Sequence, residues 1–410
     1  MARSGKSLAL LGSLCLFLST IEYLIPKPLP FMRIGLANLP LLLALDIFPL
    51  KAFAALVLIK IFGQAILTGT LFSYVFLFSL AGTAVSAAAM YALRRLLRPA
   101  HIGFTGISVV GACLSNAIQL VLARFFIFGA SVQYLVPPFL ASGLVTGFAL
   151  GLFCEAFCAK SKFYAHAKNG SADEELEEKK ESADDADVRG FKRMKIERED
   201  KGRLGRRERW DSFFLSGDLF VAGFLMALLF LFTSSLPMKA LQFFMFAFFA
   251  WVSGKKNNFL ITIFVITGIV FFNLLAPYGK VLAEWGPFRI TEGSLLSGIR
   301  KAIILEGLVM LSGAFTRPGL HLPGRFGALL GGSFSMLERI RERRTRIKRN
   351  HLIEGIDQLM LELEGDNDAD AETAADRETP QKPANTPRWK SRLLLGGMVV
   401  LTAIAAVQGL

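Results

Sequence analysis

Histidine and cysteine are scarce in this 410-residue chain, which has four of each. The histidines are scattered, so they form neither a zinc site nor a catalytic triad; they are His101, His166, His321 and His351. The cysteines lie within or at the end of apolar segments, where a disulfide framework is not expected; they are Cys15, Cys113, Cys154 and Cys158. Cys154 and Cys158 are one helical turn apart, which permits a metal site but favours packing. The sequence therefore predicts no metal and no cofactor.

A nucleotide-binding loop is also lacking. Gly5, Lys6 and Ser7 have no room upstream for the first glycine of the phosphate-binding pattern G-x-x-x-x-G-K-S. Any ATP hydrolysis that serves this chain would have to come from a separate ATPase subunit.

Charged residues make up only 19% of the chain, while 53% is hydrophobic, with 37 Phe and a mean hydropathy of +0.47. This apolar content exceeds what a soluble core of this length can bury, so a lipid-facing surface is expected. The strand alternation of a barrel is absent, and apolar runs long enough for a helix to cross a bilayer recur. The fold class predicted is therefore all-α, a polytopic helical membrane protein.

The apolar runs fall into two blocks. The first block, residues 1–160, contains six predicted spans, near 8–25, 34–48, 51–68, 71–93, 105–128 and 135–158. The second block, residues 212–360, contains predicted spans near 214–235, 238–253, 258–276 and 294–315 and then a basic helix. Residues 361–410 form an acidic linker and a final span, 393–410, which brings the second bundle to about five spans.

Between the blocks, residues 161–211 form a charged linker. Residues 171–187 carry nine carboxylates and residues 189–209 carry ten Lys or Arg, so this segment is predicted to be flexible and solvated. The basic segments alternate correctly if all are cytoplasmic. This predicts the cytoplasmic membrane of a bacterium, with the N-terminus inside and the C-terminus outside. The net charge of +13 then reflects topology, and no nucleic-acid partner is predicted.

Polar side chains inside the predicted spans of the first block are candidate ligands for a small solute. A charge at the centre of a membrane costs about 2.5–3.5 kcal/mol on insertion scales, so those that persist usually face a cavity or a partner. The alternative is that the cations reach the membrane surface and the amides bond between helices. The candidate binding residues are Glu22, Asn38, Lys60, Gln64, Asn116 and Gln119, with Arg124 further along the fifth span.

The sixth span has two features of its own. Gly143, Gly147 and Gly151 repeat every fourth residue, which predicts close packing of another helix backbone. Pro137 and Pro138 free backbone groups at its entrance, which is compatible with a pocket mouth.

These segments also carry a family resemblance. The stretches I-E-Y-L-I-P-K-P-L-P, R-I-G-L-A-N-L-P-L-L-L-A-L, G-T-L-F-S-Y-V-F-L-F-S-L-A-G and Y-L-V-P-P-F-L-A-S-G-L-V-T-G resemble the Gx transporter family. That family is often labelled heptaprenyl diphosphate synthase component I, and it is similar to the six-helix substrate-binding component of energy-coupling factor transporters. The chain departs from the family at Ser115, where His is common, and at Lys60, where Arg is usual.

The second block resembles, more weakly, the membrane coupling component of the same transporters. The resemblance rests on N-L-L-A-P-Y-G, on G-P-F-R-I-T-E-G-S-L-L-S-G-I-R-K-A and on the basic run R-I-R-E-R-R-T-R-I-K-R. It implies that paired ATPases dock on this run, although the Ala-Arg-Gly motif of that family is missing. The predicted docking residues are Arg339, Arg343, Arg344 and Arg346. An interfacial helix on anionic lipid is the alternative.

The predicted function is transport of a small solute by a fused substrate-binding and coupling subunit, with flavins and quinone or isoprenoid precursors as candidate substrates. The family label makes a role in prenyl-diphosphate synthesis the second hypothesis. That chemistry needs clustered carboxylates of the D-D-x-x-D kind, and Asp184, Asp185 and Asp187 have the wrong spacing. The chain is thus predicted not to be an enzyme. A scaffold for a membrane redox or flavin-handling assembly is the third possibility.

Overall fold

The computed structural model describes residues 2–24, 35–97, 102–169, 210, 213–254, 259–285, 288–316, 324–343, 352–365 and 388–408. The linker prediction for 161–211 falls largely outside these residues. The structure confirms the all-α class, because the only strands in the described residues form one two-stranded hairpin.

Seven α-helices lie in or beside the first block: α1 (Ala2–Leu24), α2 (Leu39–Ile47), α3 (Leu50–Thr68), α4 (Tyr74–Leu96), α5 (Phe104–Ala123), α6 (Val136–Lys160) and α7 (Lys162–Asn169). A 3-10 turn, Leu36–Asn38, precedes α2. A π-helical turn, Arg124–Phe128, and a 3-10 turn, Gly129–Tyr134, connect α5 to α6.

The remaining elements are α8 (Ser216–Phe232), α9 (Leu236–Val252), α10 (Phe259–Leu274), β1 (Val281–Trp285), β2 (Phe288–Thr291), α11 (Glu292–Phe315), α12 (Gly324–Arg343), α13 (Leu352–Gly365) and α14 (Arg388–Gln408). The strands pair antiparallel, with Ala283 opposite Ile290 and Glu284 opposite Arg289.

All eleven predicted spans coincide with helices. Five helical segments are long and apolar enough to cross a membrane: Leu50–Thr68, Tyr74–Leu96, Phe104–Tyr134, Val136–Lys160 and Trp389–Gln408. Five more are apolar but shorter: Ser7–Tyr23, Leu36–Ile47, Ser216–Phe232, Leu236–Val252 and Leu260–Leu274. The chain is therefore a multi-pass membrane protein, while the count of eleven crossings stays a prediction.

The core of the first block includes side chains of α12 and α13, two helices that come between α11 and α14 in the sequence. Leu330 and Ile340 of α12 are buried in the same apolar cluster as α1 and α3, and so are Leu359 and Met360 of α13. A methyl group built on Gly12 of α1 would meet the Ser333 hydroxyl at 2.7 Å. Helix α12, whose last residues from Arg339 to Arg343 begin the predicted basic run, thus packs lengthwise on the first bundle.

Asp357 of α13 fixes this arrangement through the start of α7. Its carboxylate accepts hydrogen bonds from the backbone N–H of Lys162 at 3.1 Å and of Phe163 at 3.0 Å, and from the Ser161 hydroxyl. The first N–H groups of a helix have no partner within it, so this carboxylate satisfies donors that burial would otherwise leave unpaired.

The second bundle has its own core, formed by α8, α9, α11 and α14 and rich in phenylalanine. Phe230 and Phe246 meet edge to face, with ring centroids 5.2 Å apart. A third cluster joins the blocks, because Phe78, Leu120 and Ile127 are buried together with Ile269 and Leu305.

Polar contacts also cross the seam between the blocks. The backbone N–H of Phe72 donates to the Ser312 hydroxyl at 3.0 Å. Nearby, Gly69 adopts a φ of +64°, and a side chain there would approach the Gly313 backbone at 3.2 Å. Glycine therefore allows α3 to end directly against α11.

Candidate functional site

A small polar cavity lies inside the first block, between α1, the Leu36–Asn38 turn and helices α3 to α6. Its volume is about 20 Å³, enough for about one ordered water. Five of the six residues predicted to bind a solute line it, namely Glu22, Asn38, Lys60, Gln64 and Asn116. The other lining residues are Gly35, Ala37, Thr83, Ala112, Ser115 and Thr146.

Glu22 holds one wall of the cavity in place. The residue is 4% exposed, and its carboxylate accepts the backbone N–H groups of Gly35 at 3.2 Å and Ala37 at 3.4 Å. Gly35 has a φ of +90°, a conformation that side chains other than glycine rarely adopt. A buried carboxylate needs such partners, and here they fix the turn that carries Asn38.

Lys60 brings a positive charge to the same cavity. It is 2% exposed, and its ammonium group donates a hydrogen bond to Oδ1 of Asn38. The side chain is thus directed into the bundle, and the alternative in which Lys60 reaches the membrane surface is wrong. The cavity therefore contains an acid, an amine and an amide drawn from three separate segments of the chain.

Two glutamine oxygens in this region have no hydrogen-bond partner among the described residues, Oε1 of Gln64 and Oε1 of Gln119. Gln119 is fully buried, and its Nε2 donates to the hydroxyl of Ser115, a lining residue, at 3.0 Å. Leaving a buried acceptor unpaired costs about 1–3 kcal/mol. Gln64 lines the cavity, so the site offers its unpaired oxygen to a molecule that can donate a hydrogen bond, whereas Gln119 lies behind the lining residue Ser115.

Asn116 has a structural partner. Its Nδ2 donates to the Phe139 carbonyl at 2.6 Å, close to Pro137 and Pro138 at the start of α6. A side chain on Gly143 would lie 2.5 Å from this nitrogen. Asn116 therefore lines the cavity and at the same time joins α5 to α6, as the interhelical alternative expected.

The other two glycines of the repeat confirm the predicted packing. A methyl group on Gly147 would meet the Val109 backbone at 3.0 Å, and one on Gly151 would meet the Thr105 backbone at 2.4 Å. The α5 and α6 backbones thus approach each other closely along the glycine face.

Arg124 does not belong to the cavity. It begins the π-helical turn after α5, and its side chain is exposed. Placing it among the pocket residues is wrong, because a long cation at the end of a span can extend outward from the bundle.

A polar cluster that the sequence analysis missed lies where α2, α4 and α7 meet. Arg94 forms two hydrogen bonds of 2.7 Å with the Asp46 carboxylate, and the Tyr164 hydroxyl donates to the same carboxylate at 2.9 Å. The pKa of Tyr164 is raised, mainly because the phenol is buried and further because Cys158 and Asp46 lie close to it. The phenol therefore keeps its proton and stays a hydrogen-bond donor. The pair of Asp46 and Arg94 could have been predicted, because the acid and the base each lie at the end of an apolar run.

The predicted ATPase-docking run is described only in part. Arg339 is half-buried in α12, and Arg343 is the last residue of that helix. Arg344 and Arg346 lie outside the described residues. ATPase docking therefore stays a prediction. Within the described part of the chain, no group of three or more His, Cys, Asp or Glu is placed to hold a metal ion.

Comparison with known families separates the two blocks. Residues 11–157 match the family model described as heptaprenyl diphosphate synthase component I. The first block is therefore similar to that family. The match includes every residue that lines the polar cavity, so the cavity belongs to the component I block. The resemblance seen in the sequence is thereby confirmed.

The second block gives less information. Residues 219–316 match a domain of unknown function, which covers nearly all of α8 and extends through α11. No curated protein and no solved structure matches the chain. The resemblance of the second block to a coupling component stays a prediction. The match of the first block supports a membrane component related to heptaprenyl diphosphate synthase systems.

Proposed function

We propose that the component I block binds a small solute in its polar cavity and that the chain moves this solute across the membrane. The observation that carries the proposal is the convergence of Glu22, Lys60 and Asn38 with the unpaired side-chain oxygen of Gln64. Packing alone could be achieved more cheaply by apolar side chains, since intramembrane charges are costly.

The state described is a closed one. A volume of about 20 Å³ holds about one water, so any organic solute requires the helices around the cavity to separate. Separation at the Leu36–Asn38 turn would require breaking the hydrogen bonds from the backbone N–H groups of Gly35 and Ala37 to the Glu22 carboxylate. Opening there would expose the carboxylate and the ammonium group together.

The unpaired Gln64 oxygen in the cavity favours a solute with a hydrogen-bond donor. Flavins meet this requirement through ring N–H and hydroxyl groups, whereas isoprenoid diphosphates present mainly acceptors and would depend on Lys60. Both classes remain candidates. Energy for uptake would come from a separate ATPase, which we place near Arg339 in line with the coupling-component resemblance.

Ligand-dependent stability tests the cavity directly. Riboflavin, a short-chain quinone and an isoprenoid diphosphate would each be added to the purified chain while its thermal unfolding is followed. A molecule present at 100 times its Kd adds about 2.7 kcal/mol of stability. We expect one of the three to stabilise the wild type and to lose this effect in Gln64→Leu and Lys60→Met.

Ser335→Ala is the control, because the Ser335 hydroxyl is exposed on α12 and bonds only to the Gly332 carbonyl of its own helix. Equal stabilisation of all variants would place the ligand elsewhere. No stabilisation by any of the three probes would favour a scaffold.

The family match supports a second candidate function, a non-catalytic membrane component of a heptaprenyl diphosphate synthase system. Here the polar cavity would serve packing, and another subunit would carry the carboxylates that bind magnesium and diphosphate. Heptaprenyl diphosphate synthesis would then fall when this chain is removed from native membranes, without any change in uptake of the three probes.

A further inference from the structure

A second, larger cavity lies at the seam between the blocks, on the opposite side of α3 from the polar cavity. Its volume is about 650 Å³, within the range of about 300–1,000 Å³ typical of ligand sites. Leu58, Phe62 and Ile66 of α3 face it, whereas Lys60 and Gln64 of the same helix face the polar cavity. The two cavities thus use alternate faces of one helix.

The walls come from both blocks and are almost entirely apolar. The second block contributes five side chains of α8, among them Phe224, Ala227 and Leu228, and α12 contributes Phe326. Among the described residues that line the cavity none is charged, and their polar side-chain groups are the Ser73 hydroxyl and the Tyr74 phenol at the start of α4. Ser73 already donates to the Thr70 carbonyl at 2.6 Å.

Two side chains that line this cavity are also exposed on the surface of apolar helices. They are Leu58 and Leu228, which are 42% and 45% exposed; Leu58 lies near the middle of α3 and Leu228 one turn before the end of α8. An apolar cavity of this kind does not hold water. In a bilayer the medium beside these exposed side chains is lipid chains, and an empty space would forfeit the dispersion contacts of its lining.

We propose that this cavity binds one long hydrocarbon chain of a membrane lipid, which enters sideways between α3 and α8 and joins the two blocks. The phenol of Tyr74 and the hydroxyl of Ser73 mark the end of the cavity nearest a polar head. This proposal is independent of solute transport, because it concerns the other face of α3.

Native mass spectrometry of the full chain, released from a mild detergent, tests the proposal. The wild type should retain one lipid per protein, and the mass of the adduct distinguishes a phospholipid from a free fatty acid or an isoprenoid lipid. Ala227→Phe places a ring in the cavity and should lower lipid occupancy at least fivefold. Leu225→Phe is the matched control, since Leu225 lies on the same helix, is 43% exposed and does not line the cavity.

A second readout protects the test against a variant that fails to fold. Lipid added to delipidated wild type should raise its unfolding temperature, with no such rise in Leu228→Trp, which enlarges a lining side chain, or in folded Ala227→Phe. The proposal is overturned if the wild type releases every lipid, if its adduct is a peptide or a second copy of the chain, or if Ala227→Phe retains lipid as well as Leu225→Phe.

Discussion

In the first block, buried Glu22, Lys60 and Asn116 line one cavity, whereas the buried side chains of Lys239, Gln242 and Asn273 in the second block bond to backbone carbonyls of other helices or turns. Lys239 donates to the Phe230 carbonyl at 3.3 Å, Gln242 to Thr402 at 3.1 Å and Asn273 to Ile127 at 3.1 Å. Among the described residues, the second block thus uses polarity to join helices, and the first uses it to build a site. The same residue types therefore have different roles according to whether they line a common cavity or bond singly to a neighbouring helix.

The largest expected effect separates a buried ion pair from an exposed one. Asp46→Ala leaves Arg94, 11% exposed in the wild-type pair, without its carboxylate, which should destabilise the chain by about 3–5 kcal/mol. Glu284→Ala is the control, because its bridge to Arg289 is about 60% exposed on both sides and should contribute at most about 1 kcal/mol. Thermal unfolding in detergent measures both, and equal losses would contradict the structural role given to Asp46.

An intermediate effect is expected at the seam between the blocks. Asn273 accepts from the ammonium group of Lys301 at 3.0 Å and donates to the Ile127 carbonyl, so Asn273→Leu leaves two partners unpaired. The expected loss of stability is about 1–3 kcal/mol. Gln242→Leu, which removes a bond within the second block, should cost only about 0.6 kcal/mol. The idea of a seam held by Asn273 fails if denaturant titration gives the reverse order.

The smallest effect is expected at the polar cavity itself. Asn116→Ala removes one interhelical hydrogen bond, worth on average about 0.6 kcal/mol in membranes. Gly143→Ala should cost more, because its methyl group would meet the Asn116 nitrogen at 2.5 Å. The two unfolding midpoints compare Asn116, whose side chain makes a hydrogen bond, with Gly143, whose lack of a side chain leaves room for Asn116. A larger loss in Asn116→Ala would mean that the amide serves mainly the fold.

The helices were predictable from sequence because each apolar run is long enough to require a bilayer, and that requirement is local. The convergence of Glu22, Lys60 and Asn116 followed from the cost of intramembrane polarity alone. Their pairing did not, since nothing in the sequence links Lys60 to Asn38. Arg124 was misplaced for a related reason, because position along a span does not reveal whether a long side chain turns inward.

The packing of α12 on the first block was missed because its overall composition resembles that of an interfacial helix. Leu330, Ser333, Leu337 and Ile340 are nevertheless spaced three, four and three residues apart and are all buried. That spacing defines one face of a helix. It predicts a packed helix, although the partner, α1, lies some 300 residues earlier and could not be found from the spacing.

The contact between Asp357 and the start of α7 also governs when the first block can be finished. Synthesis proceeds at about 5–20 residues per second, so the ribosome needs about 10–40 seconds to move from Lys162 to Asp357. Throughout that interval the newly inserted helices lack α12 against α1 and lack the carboxylate that caps α7. The first block is thus the first to enter the membrane and among the last to be completed, and a chain split within the linker would separate it from part of its own core.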